Sequence, residues 1–366
     1  MPKKVLHIFG VMDRGGAELR TLSTMNEMQK NDIDYEFCVL SGKIGSLDKQ
    51  IVQSGSKVHY CKLGITFPFR FMQLLRREQF DAVHSHVALV SGFILILAQI
   101  VGVKQRIAHF RSTQEKAERS TTRKIRNKIL RSFINFSATN IIGVSKGSLA
   151  AFWGEKWLQE PRCTTIYNGV LPPENTYKDQ QLWSNHNVKN NASIILHVGR
   201  MTEAKNHLAL VDIFAHYLTL DNQAQLVLIG KEHPKIKQEI LKKADALNCR
   251  EQLHILGEFS EVLSFMINAD ALLLPSLWEG LPGVVIEAAS VGLPVVASDL
   301  SGVKEIAEQI PSISSIPLTA NKDTWNEAIS DAINTSSEER KELAQYFPKT
   351  DFNLAMNIEK LHALYR

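Results

Sequence analysis

The feature that most constrains this fold is an alternation of short β-branched runs with longer helical patterns, which occurs twice along the chain. In the first half, the predicted strands are Val5–Phe9, Tyr35–Leu40, Lys57–Cys61, Ala82–His84, Arg106–Ala108, Asn140–Val144 and Thr164–Ile166. In the second half, they are Ser193–Val198, Gln225–Ile229, Leu253–Ile255, Ala271–Leu274 and Val295–Ala297. Strands that alternate with helices form parallel sheets covered on both faces. The sequence therefore predicts an α/β protein with two Rossmann-like, doubly wound parallel-sheet domains, which bind ligands at the carboxyl ends of their strands.

The chain of 366 residues is long enough for two domains, and a polar, proline-bearing stretch divides it at 171–191. We interpret that stretch as a linker between a first domain at 1–170 and a second domain at 192–348. The cysteines lack metal-type spacing and are predicted to be reduced, which favours a cytoplasmic location. Residues Val87–Val103 carry no charge and are predicted to form a buried crossover helix broken by Gly92 and Gly102, with a partly interfacial helix as the alternative.

Two glutamates and a proline-glycine loop lie together between two of the second-half strands. Glu279 is in the loop, and Glu287 follows eight residues later in a predicted helix that Pro282 introduces. The first amides of that helix would have no intrahelical acceptor and would form an anion site; they belong to Gly283, Val284 and Val285. Hydroxyls could donate to the carboxylates while phosphates accept from the amides. A nucleotide sugar carries both kinds of group.

A second cluster follows the strand at Ser193–Val198. Its sequence is Gly199-Arg200-Met-Thr-Glu-Ala-Lys205-Asn206-His207. Arg200 would leave the end of the strand, and Lys205 would precede a helix. Two cations at such a place can bind a diphosphate and stabilise the negative charge that grows on a leaving phosphate.

Together these residues resemble the donor-binding signature of retaining glycosyltransferases of family 4, the glycosyl transferases group 1 type, which have the two-domain GT-B fold. The resemblance is carried by the E-x7-E pair, the R-x4-K pair, Pro275, Ser276, Gly280, Pro282, Gly292-Leu293-Pro294, Ser298, Asp299 and Gly302. It also covers Gly15-Gly16-Ala17-Glu18 after the first strand and Tyr167-Asn168-Gly169 at the end of the first half. It implies two domains that face each other across a cleft, the first on the acceptor side and the second binding the nucleotide sugar. It further implies that a final helix within 350–366 completes the first domain.

The resemblance also implies roles for individual residues. The catalytic residues would be His86, Arg200, Lys205 and Glu279. Donor-binding residues would be Gly15, Gly16, Gly199, Arg200, Lys205, Gly257, Glu279, Gly280, Leu281, Gly283, Val284 and Glu287. Glu279 would hold hydroxyls of the donor sugar, Glu287 the ribose hydroxyls, and the amides of Gly283 and Val284 a phosphate. The acceptor-side residues would be Glu18, His86, His109, Arg111 and Asn168.

A basic stretch runs from Lys104 to Arg131, although the whole chain has a net charge of only +4. Within it, apolar residues recur at helical spacing; they are Ile125, Ile129, Leu130, Phe133 and Ile134. One reading is a solvated charged face above a stripe that faces the core. The other is contact with anionic lipid headgroups or a lipid-diphosphate acceptor, through Arg119, Arg123, Lys124, Arg126 and Lys128. Nucleic acid is not expected, because no aromatic stacking platform accompanies the charges.

No metal and no cofactor are expected. Asp32-Ile33-Asp34 spells a D-x-D sequence but precedes the second strand, and no acid or cysteine cluster accompanies His84 and His86. The prediction is a metal-independent, retaining glycosyltransferase that uses a UDP- or GDP-type sugar. Its acceptor would be a lipid-linked or growing glycan of bacterial surface polysaccharide, and it would act in the cytoplasm, with peripheral contact to the inner face of the plasma membrane. Two alternatives stay open: a nucleotide-sugar epimerase of the same fold, and a catalytically silent binding subunit.

Overall fold

The computed structural model describes residues 2–112, 121–174 and 177–366. By contacts between residues, the chain divides into two units. The first unit holds residues 1–169 together with 354–366, and the second holds residues 170–353. The last helix of the chain therefore belongs to the first unit.

The first unit is built on a parallel sheet with strand order β3-β2-β1-β4-β5-β6-β7. Its strands are β1 (Lys3–Phe9), β2 (Ile33–Val39), β3 (Val58–Tyr60), β4 (Ala82–Ser85), β5 (Gln105–Phe110), β6 (Asn140–Gly143) and β7 (Cys163–Thr165). Its helices are α1 (Gly16–Lys30), α2 (Asp48–Gln53), α3 (Phe67–Glu78), α4 (Ser91–Val101), α5 (Thr121–Ser137), α6 (Lys146–Trp153) and, at the end of the chain, α15 (Leu354–Tyr365).

Helices cover both faces of this sheet, as the alternation predicts. Leu6 and Ile8 of β1 point into a core that α3 and α4 complete. Val5 and Phe9 point to the opposite face, which α1 and α15 cover. His7 lies between them on that second face and is almost fully buried. A polar ring at this depth needs polar partners, and it leads to the candidate site below.

The second unit has a parallel sheet with strand order β10-β9-β8-β11-β12-β13. Its strands are β8 (Ile194–Val198), β9 (Gln225–Ile229), β10 (Leu253–Gly257), β11 (Ala271–Leu274), β12 (Val295–Ser298) and β13 (Ile313–Ile316). Its helices are α7 (Leu182–Asn185), α8 (His207–Tyr217), α9 (Pro234–Ala246), α10 (Leu263–Asn268), α11 (Gly283–Ser290), α12 (Ser301–Ala307), α13 (Lys322–Ile333) and α14 (Ser337–Tyr346).

The predicted fold class, two parallel-sheet α/β domains of the GT-B type, is confirmed. Each predicted strand overlaps a strand of the structure, whereas β13 was not predicted. The prediction that Gly92 breaks the crossover helix is wrong, because Gly92 lies inside α4 and only Gly102, at φ +90°, ends it. A Cβ on Gly92 would lie 2.2 Å from the carbonyl oxygen of Leu130, so this glycine lets α5 pack closely on α4.

The stretch predicted as a linker, 171–191, contains α7 and a buried anchor. Trp183 is almost fully buried, and its indole N–H donates to the carbonyl oxygen of Asn268 at 3.1 Å. This part of the chain is therefore packed into the second unit. Among the described residues, no helix combines the length and the apolar character that crossing a membrane requires.

Candidate active site

Lys205 and Glu279 form the centre of the candidate site in the second unit. The Lys205 ammonium nitrogen lies 2.6 Å from Oε1 of Glu279, and both side chains are mostly buried. The two residues come from the loops that follow β8 and β11, which are neighbouring strands. The structure thus brings the second residue of the R-x4-K pair and the first residue of the E-x7-E pair into direct contact.

Local backbone geometry fixes Lys205 in this place. A short 3-10 turn spans Glu203–Lys205, and Asn206 closes it in the left-handed region at φ +52° before α8 begins. The amide of Leu277 donates to the carbonyl oxygen of Ala204 at 2.7 Å, which ties the two loops together. The lysine stem crosses Gly199, where a Cβ would lie only 2.9 Å from Lys205 Cε. Glycine at 199 therefore leaves room for the lysine stem to cross.

The loop that carries Glu279 is held from two sides. The Ser276 hydroxyl donates to Oε1 of Glu279 at 3.1 Å, and the Ser298 hydroxyl donates to the carbonyl oxygen of Ser276 at 2.6 Å. Gly302 packs against the same loop, because a Cβ there would lie 2.1 Å from the carbonyl oxygen of Gly280. These contacts orient the carboxylate independently of any ligand.

Helix α11 begins at Gly283, directly after this loop, with Pro282 as its N-cap. The amide of Val285 donates to the carbonyl oxygen of Pro282 at 3.0 Å, so the prediction that it is an orphan donor is wrong. Gly283 and Val284 remain the residues whose amides the start of the helix presents. Glu287, one turn further along α11, is partly buried, and Leu281 of the loop is buried.

The remaining predicted donor residues lie at the ends of neighbouring strands. Arg200 follows Gly199 just after the end of β8 and is exposed. Gly257 ends β10 at φ +85°, and its carbonyl oxygen accepts from the amide of Gly230 at 2.8 Å. A Cβ on Gly230 would in turn lie 2.2 Å from the carbonyl oxygen of Gly199. The carboxyl ends of β8, β9 and β10 therefore meet closely, as the prediction of a ligand site there requires.

The first unit holds a cluster of four histidines, which we call the histidine cluster: His7, His84, His86 and His109. They come from β1, from the end of β4 with the residue that follows it, and from β5. His7 is paired in register with His84 across β1 and β4. Nδ1 of His7 lies 3.0 Å from Nε2 of His86, and Nε2 of His84 lies 2.9 Å from Nδ1 of His109. The two predicted acceptor-side histidines thus belong to a larger set.

Arg111 borders this cluster and is partly buried. Its guanidinium donates to Nδ1 of His86 at 3.1 Å, to Oδ1 of Asn168 at 2.9 Å and to Oγ1 of Thr21 at 3.1 Å. Burial lowers the pKa of Arg111 to about 10, and the charge of Glu18 acts in the opposite direction. Arg111 therefore joins two other predicted acceptor-side residues, His86 and Asn168, by direct hydrogen bonds.

Burial and the Arg111 charge keep the histidine cluster neutral. The pKa of His7 is lowered to about 3, first by burial and then by Arg111. The pKa values of the other three rings also lie well below the ordinary value, with burial again the largest cause. Neutral imidazoles cost less to bury than imidazolium ions.

Three histidines of the cluster are close enough together to be considered as ligands of one metal ion. Ring nitrogens of His7, His84 and His86 all lie within 4.8 Å of one another. However, the nearest pair is already bonded ring to ring, and a guanidinium donates to His86. A divalent cation placed here would lie beside that positive charge, and this group of ligand atoms includes no carboxylate to offset it. The arrangement fits hydrogen bonding better than metal binding.

Sequence reasoning missed His7 and Tyr365. The Tyr365 hydroxyl is bonded to Nδ1 of His84 at 2.5 Å, and the Lys3 ammonium donates to the carbonyl oxygen of Tyr365 at 2.8 Å. Tyr365 lies at the end of α15, 281 residues after His84. The alternating pattern of β1 gives no sign of a partner so distant in the chain. Only the strand order and the position of α15 reveal the contact.

At the start of α1, Gly15 is the N-cap and Gly16 the first residue of the helix. A Cβ on Gly15 would lie 2.3 Å from Oε2 of Glu18, so the glutamate folds back over the helix start. A carboxylate near a helix N-terminus is favourable. Glu18 and Arg111 thus place opposite charges on the same side of the first unit.

Comparisons with known proteins agree with this arrangement. The family model described as "Glycosyl transferases group 1" matches residues 179–350, and that described as "Glycosyltransferase Family 4" matches residues 14–172. The chain is 30% identical over 365 residues to the capsular polysaccharide biosynthesis glycosyltransferase CapH of Staphylococcus aureus, covering 99% of this chain and 98% of the relative. The chain belongs to glycosyltransferase family 4. It is a glycosyltransferase, and its relatives include enzymes of bacterial surface polysaccharide synthesis.

Two further similarities bear on this family 4 chain. It is 27% identical over 246 residues to the UDP-Gal:alpha-D-GlcNAc-diphosphoundecaprenol alpha-1,3-galactosyltransferase of Escherichia coli, covering 63% of this chain and 60% of the relative. Its fold is similar to that of Anabaena HepE, solved in complex with UDP and glucose, with a TM-score of 0.80 at 18% identity, covering 99% of this chain and 98% of HepE.

The last part of the basic stretch lies in α5, and the apolar residues of this helix divide between two faces. Ile134 is fully buried, whereas Ile125 is 57% exposed and Ile129 is 49% exposed. Phe136, which was not singled out from the sequence, is 73% exposed on the same face. The prediction of one core-facing stripe is therefore wrong for Ile125 and Ile129. Among the basic residues, Lys124, Arg126 and Lys128 are exposed and Arg123 is partly buried, while Arg119 lies outside the described residues.

Proposed function

We propose that this family 4 enzyme transfers a hexose-type sugar from a UDP- or GDP-sugar, with retention of configuration and without a catalytic metal. The acceptor is a lipid-diphosphate-linked or growing glycan of a bacterial surface polysaccharide, such as capsule, exopolysaccharide or lipopolysaccharide. The observation that carries the proposal is the 2.6 Å contact between Lys205 and Glu279. It joins a cation suited to phosphate with a carboxylate suited to sugar hydroxyls in one site.

The residues around this contact divide the donor between them. Lys205 and Arg200 bind the diphosphate, and the first amides of α11 add neutral donors to it. Glu279 accepts from hydroxyls of the sugar, and Glu287 accepts from the ribose. Fixed positive charge near the diphosphate supplies the electrostatic stabilisation that a metal ion supplies in other enzymes.

The proposed reaction is a substitution on one face of the sugar. The bond from the anomeric carbon to the leaving phosphate oxygen breaks as the bond to the acceptor oxygen forms on the same face. The acceptor hydroxyl proton passes to the departing phosphate oxygen, and retention follows from the shared face. Arg200 and Lys205 stabilise the phosphate most in the transition state, where its charge is largest.

The acceptor assignment has two supports. A relative from Escherichia coli is named for transfer to a diphosphoundecaprenol-linked sugar. In the first unit, Glu18, His86, His109, Arg111 and Asn168 supply the polar groups we assign to the acceptor. The Arg111 guanidinium donates to His86, Asn168 and Thr21, and an anionic acceptor group is suited to a positive charge at this place.

Helix α5 is the surface we assign to membrane contact, with the enzyme cytoplasmic and peripheral to the inner face of the plasma membrane. Exposed Ile125, Ile129 and Phe136 can enter the headgroup region, while Lys124 and Lys128 meet anionic lipid. Each exposed lysine near such a surface contributes roughly 1 kcal/mol. The combination of exposed apolar and basic side chains is typical of an interfacial helix.

A ligand panel read by thermal shift tests the donor first. UDP, GDP and their sugars are added to the purified chain in EDTA, and the preferred ligand raises the melting temperature by mass action. The preferred donor is then incubated with synthetic lipid-diphosphate acceptors in EDTA, and the anomeric configuration of the product is read by NMR. Transfer that requires added Mg²⁺, or an inverted product, contradicts the proposal. An epimer formed from donor alone indicates the epimerase, and no nucleotide release with any acceptor indicates a silent subunit.

A further inference from the structure

We propose that Arg111 and His7 hold His86 in a single neutral tautomer, so that His86 serves as a fixed neutral ring rather than a proton acceptor, and that His7 is a positioning residue. The inference rests on the proposed function only for the reaction that His86 serves. The hydrogen-bond chain itself is a property of the first unit.

The donor and acceptor in the first hydrogen bond, between Arg111 and His86, follow from the chemistry of arginine. A guanidinium has N–H donors and no acceptor. Because Arg111 Nε lies 3.1 Å from Nδ1 of His86, this ring nitrogen must accept the hydrogen bond. Nδ1 of His86 therefore carries a lone pair and no proton.

The positions of the ring protons on His86 and His7 then follow. A neutral imidazole with a bare Nδ1 carries its proton on Nε2. Nε2 of His86 lies 3.0 Å from Nδ1 of His7, so His86 donates and His7 accepts. His7 in turn carries its own proton on Nε2, an atom that is buried without a hydrogen-bond partner in the described part of the chain. The two hydrogen bonds thus have the same direction: Arg111 donates to His86, and His86 donates to His7.

Packing fixes the orientation of the His86 ring, so that both hydrogen bonds are kept. Phe9 stacks on the ring at 4.3 Å between centroids with an interplanar angle of 11°. His84 stacks on it at 4.4 Å with an angle of 23°. His7 is itself packed against Tyr35 at 4.1 Å, and Arg111 is fixed by Asn168 and Thr21. Each partner of His86 is therefore held by contacts of its own.

Both ring nitrogens of His86 are occupied, which has a consequence for the reaction. A general base needs a free lone pair within reach of the proton it abstracts. The lone pair of Nδ1 accepts the hydrogen bond from Arg111. Protonation of Nδ1 would place an imidazolium beside the guanidinium. The acceptor hydroxyl proton must therefore go elsewhere, and in the proposed step it goes to the departing phosphate oxygen. His86 contributes a neutral ring held in a fixed place.

Nitrogen NMR of the chain labelled with ¹⁵N-histidine tests the tautomer directly and needs no substrate. The His86 signals are assigned by their loss in His86→Gln. We expect one protonated Nε2 and one bare Nδ1, with no change between about pH 6 and pH 8. A protonated Nδ1, a mixture of tautomers or titration in that range would overturn the inference while leaving the proposed transferase activity untouched.

Two matched variants test the positioning role of His7. Asn and Leu have the same branching, and only Asn places an acceptor near the position of Nδ1. Both remove the imidazole, so both lose the same ring packing. We expect His7→Leu to lower kcat/KM about tenfold, the effect of one lost hydrogen bond, and His7→Asn to stay within about threefold of the wild type. Equal losses in the two variants, at equal melting temperatures, would show that His7 only fills space.

Discussion

The Lys205 ammonium nitrogen lies 2.6 Å from Oε1 of Glu279, although 74 positions separate the two residues in the chain. The side chains are 17% and 18% exposed, so the pair is neither a surface ion pair nor a fully buried one. A charge held at this depth is screened less by water than one on the surface. The contact with Glu279 holds the ammonium at a fixed place in the structure.

Lys205→Ala tests the diphosphate role of this lysine. We expect kcat to fall by about 10²–10³, as when one preorganised donor to a developing negative charge is removed. Donor affinity should change much less, because the lysine charge acts most strongly when the phosphate departs. The measurement is steady-state kinetics together with donor binding by calorimetry.

Lys341→Ala is a matched control for that variant. Lys341 also forms an ion pair, with Glu338 at 2.9 Å, but both side chains are exposed on α14. Exposed pairs contribute little, so neither kcat nor donor affinity should change. If Lys205→Ala weakened donor binding and left kcat unchanged, the lysine would act in ground-state binding alone.

Gly302→Ala should distort the loop that carries Glu279. The added Cβ would meet the carbonyl oxygen of Gly280 at 2.1 Å, and a backbone atom cannot swing aside as a flexible side chain does. We expect the free energy of unfolding to fall by roughly 1–3 kcal/mol and donor affinity to fall as well. Gly64→Ala is the control, because its Cβ would meet nothing within 4 Å. Similar melting temperatures and donor affinities for both variants would contradict the close approach.

Sequence alone indicated which part of the second unit holds the candidate site, because its residues lie in loops that follow parallel strands. Lys205 and Glu279 each lie in a loop at the carboxyl end of a parallel strand, and such loops meet at one edge of the sheet. Contacts such as His84 to Tyr365 escaped prediction, because they depend on where α15 packs. β13 escaped because Ile313–Ile316 is short and carries two serines between its isoleucines. The exposure of Ile125 depends on how α5 packs against α4, which the apolar spacing alone does not fix.

The buried histidines should make the fold sensitive to acid. Burial lowers the pKa of His7 from 6.5 to about 3 and that of His207 from 6.5 to about 4. Below about pH 6.5 the unfolded chain therefore binds protons that the folded chain does not, so the free energy of unfolding falls as pH falls towards these values. Above about pH 6.5 these groups give no pH dependence. Each such histidine contributes about 1 kcal/mol between about pH 6.5 and pH 5.5.

Urea unfolding at several pH values measures this effect. His7→Phe keeps an aromatic ring against Tyr35, which lies 4.1 Å away in the native chain, but removes the titrating group. The variant should therefore show a shallower loss of stability between about pH 6.5 and pH 5.5 than the wild type. An unchanged slope would mean that His7 is not held neutral by the fold.

The exposed face of α5 should bind anionic lipid through two separable contributions. Replacing Arg123, Lys124 and Arg126 with alanine removes the charge attraction, and the double variant Ile125→Ser with Ile129→Ser removes apolar area. Each change should weaken co-sedimentation with phosphatidylglycerol vesicles several-fold, but only the loss caused by the basic variant should be matched by adding salt to the wild type, because screening acts on charge. Donor hydrolysis should be unchanged in both.

Leu220→Ser is the control for the apolar change. Leu220 is 64% exposed, comparable to Ile125 at 57%, but it follows α8 in the second unit. Its replacement should leave vesicle binding intact, because a single exposed leucine in a sequence segment without Lys or Arg, 215–225, does not form an interfacial surface. If the Leu220 variant and the α5 variants bound vesicles equally well, nonspecific adsorption rather than α5 would account for vesicle binding. If only the α5 variants lost binding, this helix would be the surface that brings the enzyme to a lipid-linked acceptor.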